Sequence, residues 1–286
     1  MMDAPPATQA RADAPTDSGA IPPVLLVGGG KMGGAMLAGW RERGLAPSVV
    51  VDPAPGAGAL AGPGVRVVPG ADAVPDGFRP AAVVLAVKPQ GADEAVPAYA
   101  RYAADGAVVL SIMAGRTEAG LRALLGSGAA VVRAMPNTPA AIRRGITVAY
   151  AGAGVGPERR ALCDALLASV GEVAWVEDEA LLDSVTAVSG GGPAYVFLLA
   201  ELLERAAREQ GLPPELARRL ARVTVSGAGA LLAASTEDAD ALRRAVTSPN
   251  GTTERALAVL MDDEAWPALI SRAIEAATAR SRALAG

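Results

Sequence analysis

Three clusters of residues in this 286-residue chain have types and spacings suited to chemistry. The first is Val24-Leu25-Leu26-Val27-Gly28-Gly29-Gly30-Lys31-Met32-Gly33-Gly34, a short apolar run leading into G-x-G-x-x-G. Where a strand turns into a helix, Gly28 permits the tight turn, Gly30 lets the backbone approach a pyrophosphate, and Gly33 lets the helix lie close against the strand. Unpaired N–H groups at the helix start then face the phosphates. Many turns carry such glycines by chance, but these follow the first strand and open the first helix, the context that gives the motif meaning. The second cluster is Asp52-Pro53, 24 residues after Gly28 at the end of an apolar run. A carboxylate there can accept the hydroxyls of an adenosine ribose. It also repels a 2′-phosphate, which favours NADH over NADPH. Asp-Pro initiates turns as well, so both readings stand at this point. The third cluster, Val246-Thr247-Ser248-Pro249-Asn250-Gly251-Thr252-Thr253, is a polar loop entering a helix. Its free N–H groups and hydroxyls suit a small anion, although capping by Thr252 or Thr253 would use the same residues.

Two further loops leave apolar runs at the edge where open α/β sheets bind ligands: Ala86-Val87-Lys88-Pro89 and Ala134-Met135-Pro136-Asn137-Thr138-Pro139. Alone, Lys88 fits a solvated strand-end charge as well as a ligand contact, and Asn137 between prolines reads first as a turn former. In the second half, Val185 to Tyr195 reads as a helix end, the glycine hinge Gly190-Gly191-Gly192, and a new helix with Pro193 in its first turn.

What the chain lacks is as restrictive. It has no histidine and only two lysines, Lys31 and Lys88, so a histidine base, a histidine–metal centre and a Schiff-base lysine in the second half are all excluded. With 51% hydrophobic but only 3% aromatic residues, the core must be built from Ala, Val and Leu. A net charge of −4 offers no basic field for nucleic acid or anionic lipid. The single cysteine, Cys163, fits a reducing compartment. Neither a secretory leader nor an uncharged apolar stretch long enough to span a membrane is legible, so a cytoplasmic location is expected. Residues 1–20, rich in Ala, Pro and Asp, are expected to form a disordered tail.

The elements that position the clusters divide the chain near residue 176. Before it, apolar runs at Val24–Gly28, Ser48–Asp52, Val65–Val68, Ala82–Val87, Ala107–Ser111, Ala130–Ala134 and Thr147–Tyr150 alternate with Ala/Leu/Arg-rich segments. That pattern predicts a parallel, doubly wound α/β domain over 21–176. After it, helices are expected at Ala180–Ser189, Ala194–Gln210, Pro214–Ala234, Asp238–Val246, Thr253–Met261 and Ala265–Leu284. The two long members are apolar over much of their circumference, which predicts dimerisation through an all-α domain over 177–286.

In this order the motifs G-x-G-x-x-G, A-V-K-P, M-P-N-T-P, S-G-x-G-P-A-Y and T-S-P-x-G-T-T resemble those of the pyrroline-5-carboxylate reductases, which complete proline biosynthesis. The resemblance implies a Rossmann domain, a helical dimerisation domain, a homodimer or larger ring of dimers, and a site where the domains meet across subunits. It implies that Gly28, Gly30, Lys31, Met32 and Gly33 cradle the phosphates of NAD(P)H. Asp52 and Pro53 would meet the ribose, and Val87, Lys88 and Ala114 would lie along the dinucleotide. Ser248, Gly251, Thr252 and Thr253 match the loop that binds a cyclic imino acid, and Glu179 matches an acidic position near the substrate. The implied reaction is hydride addition to a C=N carbon, giving L-proline. It suits a chain without histidine, because the imine nitrogen can arrive protonated and needs only a hydrogen-bond partner, expected to be Thr253. The chain departs from the family at Gly191 (usually Ser), Asn250 (usually Gly) and Ala245 (often Asn), and Glu254 puts a carboxylate on the turn meant for an anion. A β-hydroxyacid dehydrogenase has a similar glycine loop but needs a lysine in the second domain. A reductase of six-membered cyclic imines and a non-catalytic dinucleotide-sensing dimer are the remaining alternatives.

Overall fold

The computed structural model describes residues 20–285, so the expected tail lies almost wholly outside the described residues. Eight strands form one sheet: β1 Val24–Val27, β2 Ser48–Val51, β3 Val65–Val68, β4 Ala82–Leu85, β5 Val108–Ser111, β6 Val131–Met135, β7 Gly145–Ala151 and β8 Gly171–Val176, in the order β3-β2-β1-β4-β5-β6-β7-β8. Helices α1 Lys31–Glu42, α2 Ala92–Ala95, α3 Ala100–Ala104, α4 Glu118–Leu125 and α5 Pro157–Leu167 complete this domain.

Continuous apolar runs make buried strands because both faces need cover. Val24 and Leu26 face a cluster with Met36, Leu37 and Trp40 of α1 and Leu166 and Leu167 of α5. Leu25 and Val27 point the other way, toward Tyr99, Tyr102, Leu121 and Leu125. Trp40 is fully buried and donates its indole N–H to Leu166 O at 2.9 Å. A buried side chain of this size contributes on the order of 2–3 kcal/mol.

Two expectations need correction. The sheet is not wholly parallel, because β7 runs antiparallel to β6. The connection 136–144 holds only a short 3₁₀ turn, Thr138–Ile142, and a parallel crossover needs roughly a dozen residues or more. Strand β8 was not expected at all. It pairs parallel with β7 at the sheet's edge and mixes half-buried with exposed residues, so its sequence lacks the continuous apolar run of a covered strand.

Beyond β8 the chain is helical: α6 Leu181–Val185, α7 Gly192–Glu209, α8 Pro214–Ala234, α9 Ala239–Ala245, α10 Thr252–Leu260 and α11 Trp266–Ala285. A π turn at Thr186–Gly190 joins α6 to α7, closed by the Gly191 N–H on Thr186 O at 2.9 Å. Helices α7 and α8 pack on each other, and α11 packs on α6 and the π turn. Ser281 Oγ on α11 donates to Asp183 Oδ1 at 2.7 Å. The stretch Leu181–Glu209 is long and apolar enough to cross a bilayer by composition alone, but few of its residues are buried within the chain.

Candidate active site

Strands β1, β2 and β4 end in register, Val27 opposite both Val51 and Leu85. Their carboxyl ends therefore bring Gly28, Asp52 and Ala86 side by side. The sheet order reverses between β1 and β4, and ligands of open α/β sheets bind at such a crevice. Gly28 sits there with φ 97°, and a Cβ on it would fall 2.7 Å from Ala86 O, so only glycine fits. A Cβ on Gly33 would collide with Gly28 O, which is the close helix–strand approach expected of it. Gly30 is exposed, and a Cβ built there meets nothing within 4 Å. Helix α1 begins at Lys31 with no side-chain cap and no acid in its first turn. A bare glycine surface beside uncapped helix N–H groups fits a pyrophosphate.

Asp52 makes the turn and also reaches the glycine loop. Its Oδ1 accepts the Ala54 N–H at 2.8 Å, the turn expected of Asp-Pro, while Oδ2 accepts the Gly29 N–H at 2.6 Å. The carboxylate is thus pinned against the glycine loop, with Pro53 exposed beside it. Val87 is half-buried and Lys88 exposed at the end of β4, and Ala114 is half-buried after β5. Arg116, which sequence reasoning passed over, ties these two loops together. Its guanidinium donates to Pro89 O at 2.8 Å and to both oxygens of Asp93 at 2.8 and 2.9 Å. That hydrogen bonding holds the Asp93 carboxyl below the usual carboxylate range.

At the end of β6, Asn137 is more than a turn former. Its side-chain oxygen accepts the Ile146 N–H at 3.0 Å, and its amide donates to Ser189 Oγ at 3.2 Å, joining the sheet to the glycine hinge. A Cβ on Gly190 would lie 2.6 Å from Met135 Cε, and one on Gly191 2.5 Å from the Tyr195 hydroxyl oxygen. Tyr195 donates to Ala187 O at 2.9 Å. The Tyr195 hydroxyl thus occupies the space that a side chain at Gly191 would enter.

The loop ahead of α10 is preorganised but solvent-facing. Gly251 N–H closes a turn on Ser248 O at 3.0 Å, and Asn250 adopts φ 58°, a conformation glycine takes freely and asparagine tolerates. Glu254 reaches back to accept the Asn250 N–H at 2.8 Å, so its carboxylate is occupied with the loop's own backbone. Helix α10 starts at Thr252 without a side-chain cap. Ser248, Thr252 and Thr253 are exposed and Gly251 half-buried, and the loop's hydrogen bonds among the described residues are all local. Glu179 lies elsewhere: it accepts hydrogen bonds from Arg133 Nη1 and from the Glu118 N–H, each at 2.6 Å. Arg133 was also passed over, although a charge inside the apolar run Val131–Met135 was the signal that it needed a partner.

The model of pyrroline-5-carboxylate reductase dimerisation matches residues 179–284, and that of NADP oxidoreductase, coenzyme F420-dependent, matches 23–115. A pyrroline-5-carboxylate reductase of Pseudomonas aeruginosa is 39% identical over 269 residues, covering 92% of this chain and 97% of the relative. The chain belongs to the pyrroline-5-carboxylate reductase family. Among solved members, the Coxiella burnetii reductase superposes with TM-score 0.83 at 31% identity, over 92% of this chain and 98% of that one. The Plasmodium falciparum reductase, solved with NADP bound, gives 0.78 at 25% identity over the same shares. As in the reductase family, the fold is a Rossmann-like sheet followed by a helical dimerisation domain.

Proposed function

We propose that this protein reduces 1-pyrroline-5-carboxylate to L-proline with NAD(P)H, working in the cytoplasm as a homodimer or an assembly of dimers. The observation that carries the reading is the loop Ser248–Thr253: a preformed turn opening an uncapped helix, in a chain that aligns with reductases of this substrate over nearly its whole length. When bound, the reduced nicotinamide supplies the hydride for the C=N carbon.

The chain's own residues bind and orient. N–H groups of Thr252 and Thr253 hold the substrate carboxylate against the turn at Gly251, whose own N–H is taken by Ser248 O, helped by the Ser248 hydroxyl and by the positive end of the α10 dipole. Thr253 Oγ1 is the catalytic group, hydrogen-bonded to the ring nitrogen. Because that nitrogen arrives protonated, Thr253 accepts a hydrogen bond and no strong acid is needed. Gly28, Gly30, Lys31, Met32 and Gly33 hold the dinucleotide phosphates. Val87, Lys88 and Ala114 line its length, and Asp52 with Pro53 meets the ribose. The pinned Asp52 carboxylate and the absence of a basic residue at Pro53 set a preference for NADH. The exposure of Ser248, Thr252 and Thr253 supports a site completed by a second copy of the chain.

The test is oxidation of NADH or NADPH by the purified protein on addition of pyrroline-5-carboxylate, with its six-membered homologue in parallel. Turnover with the five-membered ring supports the reading. Turnover with the six-membered ring alone, or with neither, defeats it.

A further inference from the structure

Glu179 stands where the two domains meet. The same oxygen, Oε1, takes the Arg133 guanidinium and the Glu118 N–H, both at 2.6 Å. The two side chains are only 10% and 26% exposed for Arg133 and Glu179, so water screens the pair little. Charge-assisted hydrogen bonds of this kind are about twice as strong as neutral ones. Glu118 is the first residue of α4, and its N–H is one of the donors the helix cannot satisfy by itself. Thr117 Oγ1 takes a second, from Gly120 at 3.1 Å. The start of α4 is therefore held once by its own cap and once by a carboxylate from the helical domain.

The loop leading into α4, residues 112–117, contains Ala114 and is fastened on every side. Ile112 N–H donates to Leu85 O at 3.0 Å, and Arg116 draws the loop onto Pro89 and Asp93. Gly115, at φ 71°, is so close to α11 that a Cβ would lie 3.1 Å from Leu284 Cβ. Glu179, bonded to the residue that follows the loop, and Leu284, close beside Gly115, both come from the helical domain.

We infer that Glu179 is a positioning residue for the dinucleotide and not a contact for the imino acid. Its carboxylate is a strut that keeps the Ala114 loop, and with it one wall of the cofactor crevice, in place relative to the helical domain. The inference rests on the function proposed above and departs from what the family resemblance implies for this position. Two consequences follow for dinucleotide affinity. Shortening the strut by one methylene leaves a charge opposite Arg133 but draws the shared oxygen away from its two donors, whereas an amide of the same length keeps one oxygen able to accept from both.

Glu179→Asp, Glu179→Gln and Glu179→Ala are compared with wild type in the full-length protein. The readouts are NADH dissociation by nicotinamide fluorescence, KM for NADH and for the imine, and the thermal midpoint. Loss of one or two hydrogen bonds predicts a Kd and KM for NADH raised about ten-fold in Asp and Ala, and about three-fold or less in Gln, with imine KM unchanged. Should the Ala variant fail to fold, the Asp–Gln contrast decides. A raised imine KM with unchanged NADH Kd overturns the inference, as does a lowered thermal midpoint with unchanged Kd in the Asp variant. A wild type that binds NADH but reduces no imine defeats the proposed function, and the Kd comparison then still judges the strut.

Discussion

The Rossmann-like half hides its apolar residues within its own chain, and the helical half does not. Every residue of β1, β2, β4 and β5 is buried. Helices α7 and α10 bury no residue at all, and α8 buries only Ala217 and Ala221. Phe197 is 68% exposed and Val223 61%. Monomers rarely leave so much apolar surface wet. The first half is a finished domain, and the second leaves open the face that a further copy would cover, as its match to the pyrroline-5-carboxylate reductase dimerisation family supports. The candidate cofactor crevice belongs to the finished half. The candidate substrate loop belongs to the unfinished one.

The sharpest way to break this contrast is to charge the helical face. Phe197→Asp with Leu220→Asp should yield monomers in sedimentation, with imine reduction down more than about a hundred-fold and NADH binding retained, the price of two buried charges being several kcal/mol. A fully active monomer would show that the second half needs no partner. Next in size is Thr253→Ala. Hydrogen bonds to charged groups contribute about 1.5–3 kcal/mol, so kcat/KM for the imine should drop tens- to a few hundred-fold. NADH affinity should stay as it was, and unchanged turnover would remove Thr253 from the mechanism.

A smaller effect probes the finished half. Two unit charges at 4 Å interact by about 4 kcal/mol at an effective dielectric of 20, and screening at an exposed ribose edge reduces this to roughly 1–2 kcal/mol. Wild type should therefore favour NADH about ten-fold in kcat/KM, and Asp52→Ser with Pro53→Arg should reverse the order. A wild-type preference for NADPH would mean that the Asp52 carboxylate serves only the Gly29 and Ala54 N–H groups. The smallest effect concerns Cys163, whose thiol burial pushes up to about 12. Its unfolded value is near 8.5, so above pH 9 the unfolded state loses the proton first. Stability should then fall with rising pH by about 1 kcal/mol per unit, and Cys163→Ala should lessen that slope. Equal slopes in urea titrations of both proteins would show the thiol to be less sheltered than its setting implies.

Much of this was legible in the residues. The glycine loop, the strand ends and the long helices lie within a few positions of where apolar period and punctuation put them. Local signals sufficed there because each element is specified by its own run. The antiparallel β7 was not legible, since strand direction depends on whether a connection can cross the sheet and not on the strand's composition. Strand β8 was hidden because an edge strand needs no continuous apolar run. The fastenings by Arg116, Arg133 and Asn137 were missed for a different reason. Their partners are distant in sequence: Arg116 reaches back 23 residues to Asp93, and Asn137 reaches forward 52 to Ser189. Only the fold pairs them.

The ion pair between Arg133 and Glu179 also sets an order of events during synthesis. Arg133 lies in the sheet, and its anion is 46 residues further along the chain. At about 5–20 residues per second a ribosome needs roughly 2–9 s to add that stretch. During this interval a collapsed sheet would hold a cation without its counter-charge, an arrangement costing on the order of 3–5 kcal/mol. The β6 region should therefore stay open to water until the first residues of the helical domain arrive. Completion of the sheet and the start of dimer assembly are thereby coupled in time, with the same carboxylate needed for the one and carried by the domain that performs the other.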